Sequence, residues 1–252
     1  MKDLFFFDAD CKLGSSPVKG IGPGVPELIQ HMDYSGVDMA LIQHANIAMQ
    51  GAVVANREIA KMVKMEENNR LKGVWAILPT QCPEIPMGEQ LFREMKENNI
   101  AALSLFPFEH RFVPCRLTIG RIMDAARERN VPILTGAFSN KWKELYDFIA
   151  EFPQNIFIHC DTIGKWGNDR NIRPLLENYP NFYYGMTGYM VPGGVKDLAE
   201  TYGSDRILYS SGFPTYQEGC GMLQLKYSGL PMQDVEKIAG KNLQNLLKGA
   251  QL

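Results

Sequence analysis

The first charged cluster of the chain sits inside FFFDADCKLG, residues 5–14, where the apolar run Phe5–Phe7 gives way to Asp8, Asp10 and Lys12. Alternate residues of a strand share a face, so the spacing predicts that these three side chains point the same way at the tip of a first strand. An ammonium beside carboxylates has two uses there. It closes the fold as a plain ion pair, or it forms a preset charge site for a small substrate. Burial and opposite charge pull the pKa values of such groups in opposing directions. Histidine is the usual general acid or base near neutral pH. Two histidines end apolar runs: His44 after MALIQ and His159 in NIFIH. His110 and Arg111 lie in the charged stretch FPFEHR, and Thr135, Asp161, Tyr189 and Ser211 follow other apolar runs. Each also has a structural use: a strand-end histidine bonds a backbone carbonyl, and a charged loop stays solvated. Cys11 and Cys160 read as small buried hydrophobes rather than nucleophiles.

The elements that would position these residues are regular. Apolar runs occur at 4–7, 39–43, 73–78, 101–106, 131–135, 155–159, 182–186 and 206–210, with the brevity of buried parallel strands. Amphipathic stretches separate them, including 56–69, 116–130, 141–152 and 235–249, the last with Gly249 where a helix cap is expected. Strands alternating with helices, without a compositional break, predict one (β/α)8 barrel over residues 1–252. No Gly-rich phosphate loop follows the first run, which disfavours an open doubly wound sheet. In a barrel the chemistry gathers at the C-terminal strand ends, where the residues named above fall.

Bulk composition removes several classes of function. The chain has 252 residues, 45% hydrophobic, and a net charge of -2. No basic stripe calls for nucleic acid. No apolar run reaches the roughly 18 residues of a membrane span, and MKDLFFFDAD lacks a signal-peptide core. The five cysteines are scattered without CxxC spacing and read as reduced thiols. The expected setting is the cytoplasm, and the expected partner is a small molecule.

Several longer motifs together resemble the amidohydrolase-related barrels, the group that includes aminocarboxymuconate semialdehyde decarboxylase and related decarboxylases and lactonases. FFDADCKLG resembles the family's opening strand, usually Asp-x-His-x-His. MDYSGVDMALIQ resembles its Gly-Val-Asp passage into strand two, and NREIAKMVKMEENNRLKGVWAILP its Asn-rich helix and the Arg-Phe-x-Gly strand that follows. NVPILT is similar to strand five. FPQNIFIHCDTIG is similar to the strand-six signature, GSDRILYSSGFP to strand eight and IAGKNLQNLLKG to the terminal helix. The resemblance spans nearly the whole chain and implies a barrel distorted as in metal-dependent hydrolases, and a homodimer.

The departures are as informative. The family's metal is held by two histidines on strand one, one each on strands five and six, and an aspartate on strand eight. The matching positions here hold Asp10, Lys12, Thr135 or Gly136, and Gly212, with His159 retained. A zinc-type site needs three or four converging donors, and a protonated lysine cannot ligate. The expectation is therefore no metal cofactor, with Lys12 supplying the missing positive charge. A residual divalent ion at Asp8, Asp10 and His159, with His44, is the alternative. The expected function is a metal-independent, lactonase-like hydrolase, or a decarboxylase or other lyase, acting on a small carboxylate or carbonyl compound. Lys12, His159 and Asp10 are the expected catalytic residues. Asp8, His44, His110, Arg111, Thr135, Asp161, Tyr189 and Ser211 are the expected substrate-binding residues. The competing expectation is an inactive homologue that binds a ligand or regulates a partner.

Overall fold

The protein was analysed as a computed structural model that describes residues 4–15, 22–160 and 169–252. Its strands are β1 (Phe7–Leu13), β2 (Met39–His44), β3 (Leu71–Ala76), β4 (Ile100–Ser104), β5 (Ile133–Leu134), β6 (Phe157–Cys160), β7 (Phe182–Gly185) and β8 (Ile207–Leu208). They form one eight-stranded sheet in chain order, parallel at each described pairing. The β8–β1 seam is bridged by backbone bonds: Ala9 N–H donates to Tyr209 O, Lys12 N–H to Phe213 O and Gly212 N–H to Asp10 O. The expected barrel is present.

The helices are α1 (Val25–Ser35), α2 (Ile47–Gln50), α3 (Ala52–Met65), α4 (Glu89–Glu97), α5 (Arg116–Glu128), α6 (Trp142–Glu151), α7 (Asp169–Asn178), α8 (Gly194–Tyr202), α9 (Glu218–Lys226), α10 (Met232–Glu236) and α11 (Asn242–Lys248). Helix α3 starts and stops earlier than the periodicity of 56–69 predicts. It stops because the Glu66 carboxylate accepts from the N–H groups of Asn68 and Arg70 (3.0 and 2.6 Å), and Asn69 turns left-handed (φ 56°). The terminal helix is broken by a π-turn at Lys237–Lys241, where a Cβ on Gly240 would meet Phe5 O at 2.7 Å.

Two apolar layers organise the barrel. The inner one contains Phe7, Ala9, Leu41, Val74, Leu134, Ile158, Cys160 and Leu208, with Leu243 and Leu246 of α11 packed on it. The outer one, beneath the helices, contains Phe6, Cys11, Leu13, Ile42, Ile133, Phe157 and Phe182. In β1 the odd residues change layer: Phe7 and Ala9 face inward, Cys11 and Leu13 outward. The cause is a bulge. Asp8 pairs with Ala40 but Cys11 with Ile42, so β1 carries one extra residue. The expectation of one shared face is corrected accordingly. Asp8 belongs to the outward phase before the bulge, and Asp10 and Lys12 to the inward phase after it. The cluster also lies within the strand, which continues to Leu13, rather than at the end of an apolar strand.

Helix α3 is fastened to β3 by one buried side chain. Asn56 Nδ2 donates to Ala76 O (2.9 Å), Asn56 Oδ1 accepts from Ala76 N–H (2.7 Å), and Trp75 Nε1 donates to Asn56 O (2.9 Å). Asn56→Ala leaves a buried backbone donor and acceptor without partners, and is expected to destabilise the fold by about 3 kcal/mol. Urea unfolding of the two proteins checks it; a change near zero would show that water replaces the amide.

Candidate functional site

A cavity of about 160 Å³ opens at the C-terminal ends of the strands, lined by Asp10, Lys12, Gln43, Ser104, Phe106, Leu134, Gly136, Ala137 and Cys160. Lys12 Nζ stands 3.4 Å from Asp10 Oδ1, with the lysine side chain 28% exposed and the aspartate 7%. The other Asp10 oxygen, Oδ2, accepts from the Thr187 hydroxyl at 3.1 Å. Thr187 is fixed in turn: its N–H donates to Ser210 Oγ (2.8 Å), and its hydroxyl lies 2.8 Å from the same atom. Space for this packing comes from Gly185, where a Cβ would meet Cys160 Sγ at 2.3 Å and Ser210 Oγ at 2.7 Å. Asp10 is thus held on one side by an uncharged donor and offers its other oxygen to the ammonium.

The remaining wall is mild. The Cys160 thiol is pushed well up by burial, with Asp10 adding to the effect, so it stays protonated and is a poor nucleophile. Phe106 and Leu134 supply apolar surface. Gln43 is 9% exposed, and its Nε2 is buried without an acceptor.

The other expected site residues are distributed differently. Asp8 is fully buried in the β8–β1 seam, behind the cavity. Its Oδ1 accepts from Asp10 N–H (3.0 Å) and Ser211 N–H (2.9 Å), while Oδ2 has no partner. His159 was expected in the mouth, but the strand alternation turns it toward the helices while Ile158 and Cys160 take the interior. Its ring packs on Trp142 (5.3 Å) and Phe182 (6.2 Å), and Thr135 Oγ1 lies 3.0 Å from its Nδ1. Thr135 therefore sits on the same outer side, also buried.

His44 is buried next to Gln43 on the opposite face of β2. Its Nδ1 accepts from Asn46 N–H (3.2 Å), so Nε2–H donates to Glu58 (2.7 Å). Burial lowers its pKa, against the pull of Glu58, which agrees with a neutral ring. Gly14 at φ 91° makes room for it, since a Cβ there would meet His44 Nε2 at 2.5 Å. His110 and Arg111 line a separate cleft beside α2 and α3, and His110 Nε2 lies 3.0 Å from Ile47 O. Tyr189 and Ser211 line a third cleft outside β7 and β8. Asp161 falls outside the described residues.

Of the expected residues, the structure brings Lys12 and Asp10 together in the cavity. It adds Gln43, Ser104 and Cys160, with Thr187 and Ser210 behind Asp10. Gln43 and Thr187 were not among the expected residues, because an apolar run does not reveal which of two neighbouring residues faces inward.

Comparisons with known proteins agree with this architecture. The amidohydrolase family model matches residues 18–247. A comparison with curated proteins found no match. Among solved structures, a 2,6-dihydroxybenzoate decarboxylase from Rhizobium is 14% identical, with a TM-score of 0.71, covering 98% of this chain and 99% of that one. A probable 2-pyrone-4,6-dicarboxylic acid hydrolase from Acinetobacter baumannii with citric acid bound is 14% identical, with a TM-score of 0.72, covering 96% and 99%. A dihydroxybenzoic acid decarboxylase from Polaromonas with bound manganese and 2-nitroresorcinol is 16% identical, with a TM-score of 0.70, covering 97% and 97%.

The described residues of the cavity do not assemble a ligand set for such a metal ion. Among the described residues no three His, Cys, Asp or Glu side chains converge to hold one. The inward position of β6 is a protonated thiol, Gly212 carries no donor, and the Lys12 ammonium stands against Asp10. Among the described residues no helix is long and apolar enough to cross a membrane.

Burial raises the Asp8 carboxyl to about 6, against the opposing hydrogen bonds from Ser211 and Asp10. A folded-state value above the unfolded one gives stability that is present below about pH 4 and lost as pH rises through about 6, amounting to about 3 kcal/mol. Asp8→Asn keeps an acceptor for both N–H groups and is expected to remove this loss. The variant should gain stability over the wild type at pH 8 but not at pH 4, by thermal unfolding at both values; equal differences at the two would contradict the assignment.

Proposed function

This chain belongs to the amidohydrolase family, and on that premise we propose that it is a metal-independent enzyme acting on a small carboxylate or lactone, by hydrolysis or decarboxylation. The carrying observation is the Lys12 ammonium held inside the barrel mouth against Asp10, where Thr187 orients the carboxylate. Lys12 supplies the positive charge that faces the substrate's oxygen. In lactone hydrolysis, water adds to the carbonyl carbon as Asp10 takes its proton, and Lys12 N–H groups stabilise the oxyanion. The ring C–O bond then breaks, and the leaving oxygen takes up the proton held by Asp10. In decarboxylation, the C–C bond electrons pass into a conjugated oxygen facing Lys12 as carbon dioxide departs, and they then return to form the C–H bond as that carbon takes a proton from water. The two reaction classes match those named for the Acinetobacter and Rhizobium proteins. His159, turned among the helices, has no assigned step. A reducing cytoplasm and a homodimer are part of the same proposal.

A second reading has one observation in its favour. With His159 outside the cavity and a glycine at the end of strand eight, the barrel has lost most of the family's proton-transfer equipment, and a non-catalytic ligand-binding protein would need no more than the Lys12 charge.

Turnover of a panel of aromatic carboxylates and pyrone lactones, followed by NMR, separates the readings. The expected result is activity that survives exhaustive chelation and falls at least about hundredfold in Lys12→Met, the scale of losing one oxyanion donor. Activity abolished by chelation and restored by manganese would overturn the metal-independent assignment. Absence of turnover with retained carboxylate binding would favour the non-catalytic barrel.

A further inference from the structure

The proposed chemistry uses Lys12 and Asp10 and leaves Gln43 unassigned. Gln43 stands directly beside Lys12: the two are register partners on β1 and β2, and both line the cavity. Its Nε2 is buried and donates to nothing. A buried amide without a partner is unfavourable for the fold and rare in native proteins. The nearby Asp10 carboxylate, which meets Lys12 and Thr187, makes no bond to it. Across the cavity, Phe106 and Leu134 offer no side-chain acceptor. Two donors thus project side by side from adjacent strands, about 5 Å apart at their backbones, toward a partly apolar space.

We propose that Gln43 is a substrate-binding residue that, with Lys12, reads a carboxylate: one oxygen on Lys12 Nζ, the other on Gln43 Nε2, and the apolar body of the ligand toward Phe106 and Leu134. A carboxylate offers each of the two donors its own charged oxygen. The charge count sets a second limit. Lys12 and Asp10 together are neutral, and the described lining holds no other cation, so one ligand carboxylate brings the site to a single net negative charge and a second would double it with nothing to offset the repulsion. The ligand class is therefore a small monocarboxylate, of a size set by about 160 Å³. This inference rests on the carboxylate reading of the cavity and adds the second donor and the discrimination against dianions.

Titration calorimetry with benzoate and isophthalate tests it, using the wild type, Gln43→Met, Gln43→Leu and Lys12→Met. Benzoate is expected to bind the wild type more tightly than isophthalate. Both Gln43 variants should weaken benzoate roughly tenfold, the worth of one hydrogen bond to a charged group. Their ligand-free melting temperatures should not fall, because the substitutions remove an unsatisfied buried donor; two variants of different shape guard against a packing artefact. Benzoate affinity within about twofold of wild type in both variants, with binding abolished in Lys12→Met, would overturn the role of Gln43 and leave Lys12 as the anion site. Failure of the wild type to bind benzoate would overturn both.

Discussion

The extra residue in β1 is the constraint on which the mouth of this barrel depends. Without the bulge between Asp8 and Cys11, the inward phase set by Phe7 and Ala9 would continue through Cys11 and Leu13, and Asp10 and Lys12 would lie among the helices. With it, an acid and a base enter the cavity from the same strand. The seam bonds from Lys12 N–H to Phe213 O and from Gly212 N–H to Asp10 O fix the shifted register. The buried Asp8 carboxylate, accepting from Asp10 and Ser211, braces the same turn of backbone from behind. Its raised pKa shows that this bracing is made against the desolvation of a charge.

The polar residues at the strand ends divide by phase into two groups with different work. Those facing in, Asp10, Lys12, Gln43, Ser104 and Cys160, meet the cavity. Those facing out, His44 and Thr135 with His159, meet neighbours that fix them: Glu58 and Asn46 for His44, and the aromatic rings of Trp142 and Phe182 for His159. A histidine in the second group serves packing and hydrogen bonding between layers. On the proposed reading the first group works electrostatically, through one ammonium oriented by a carboxylate.

Much of this was legible in the sequence. Eight short apolar runs separated by amphipathic stretches specify the barrel, because period and length report burial directly. The family resemblance implies that Asp10, Lys12 and Gly212 stand at metal-ligand positions, and Lys12 and Asp10 do meet in the cavity. Side-chain direction was not readable. A bulge leaves no compositional mark, so alternation alone puts Asp8 on the same face as Lys12. In β6, His159 and Cys160 are neighbours at a strand end where either could face in, and the thiol does. Gln43 is only the last residue of the run 39–43 in the sequence, and its missing partner is a property of three-dimensional packing alone.

The central claim is that the Lys12 ammonium stands where a relative would hold a cation. Anomalous diffraction from crystals grown in excess manganese tests it most directly. The account predicts no ordered anomalous peak inside the barrel mouth, with Lys12 Nζ in contact with Asp10. A manganese peak coordinated by Asp10, with the Lys12 side chain displaced toward solvent, would contradict it.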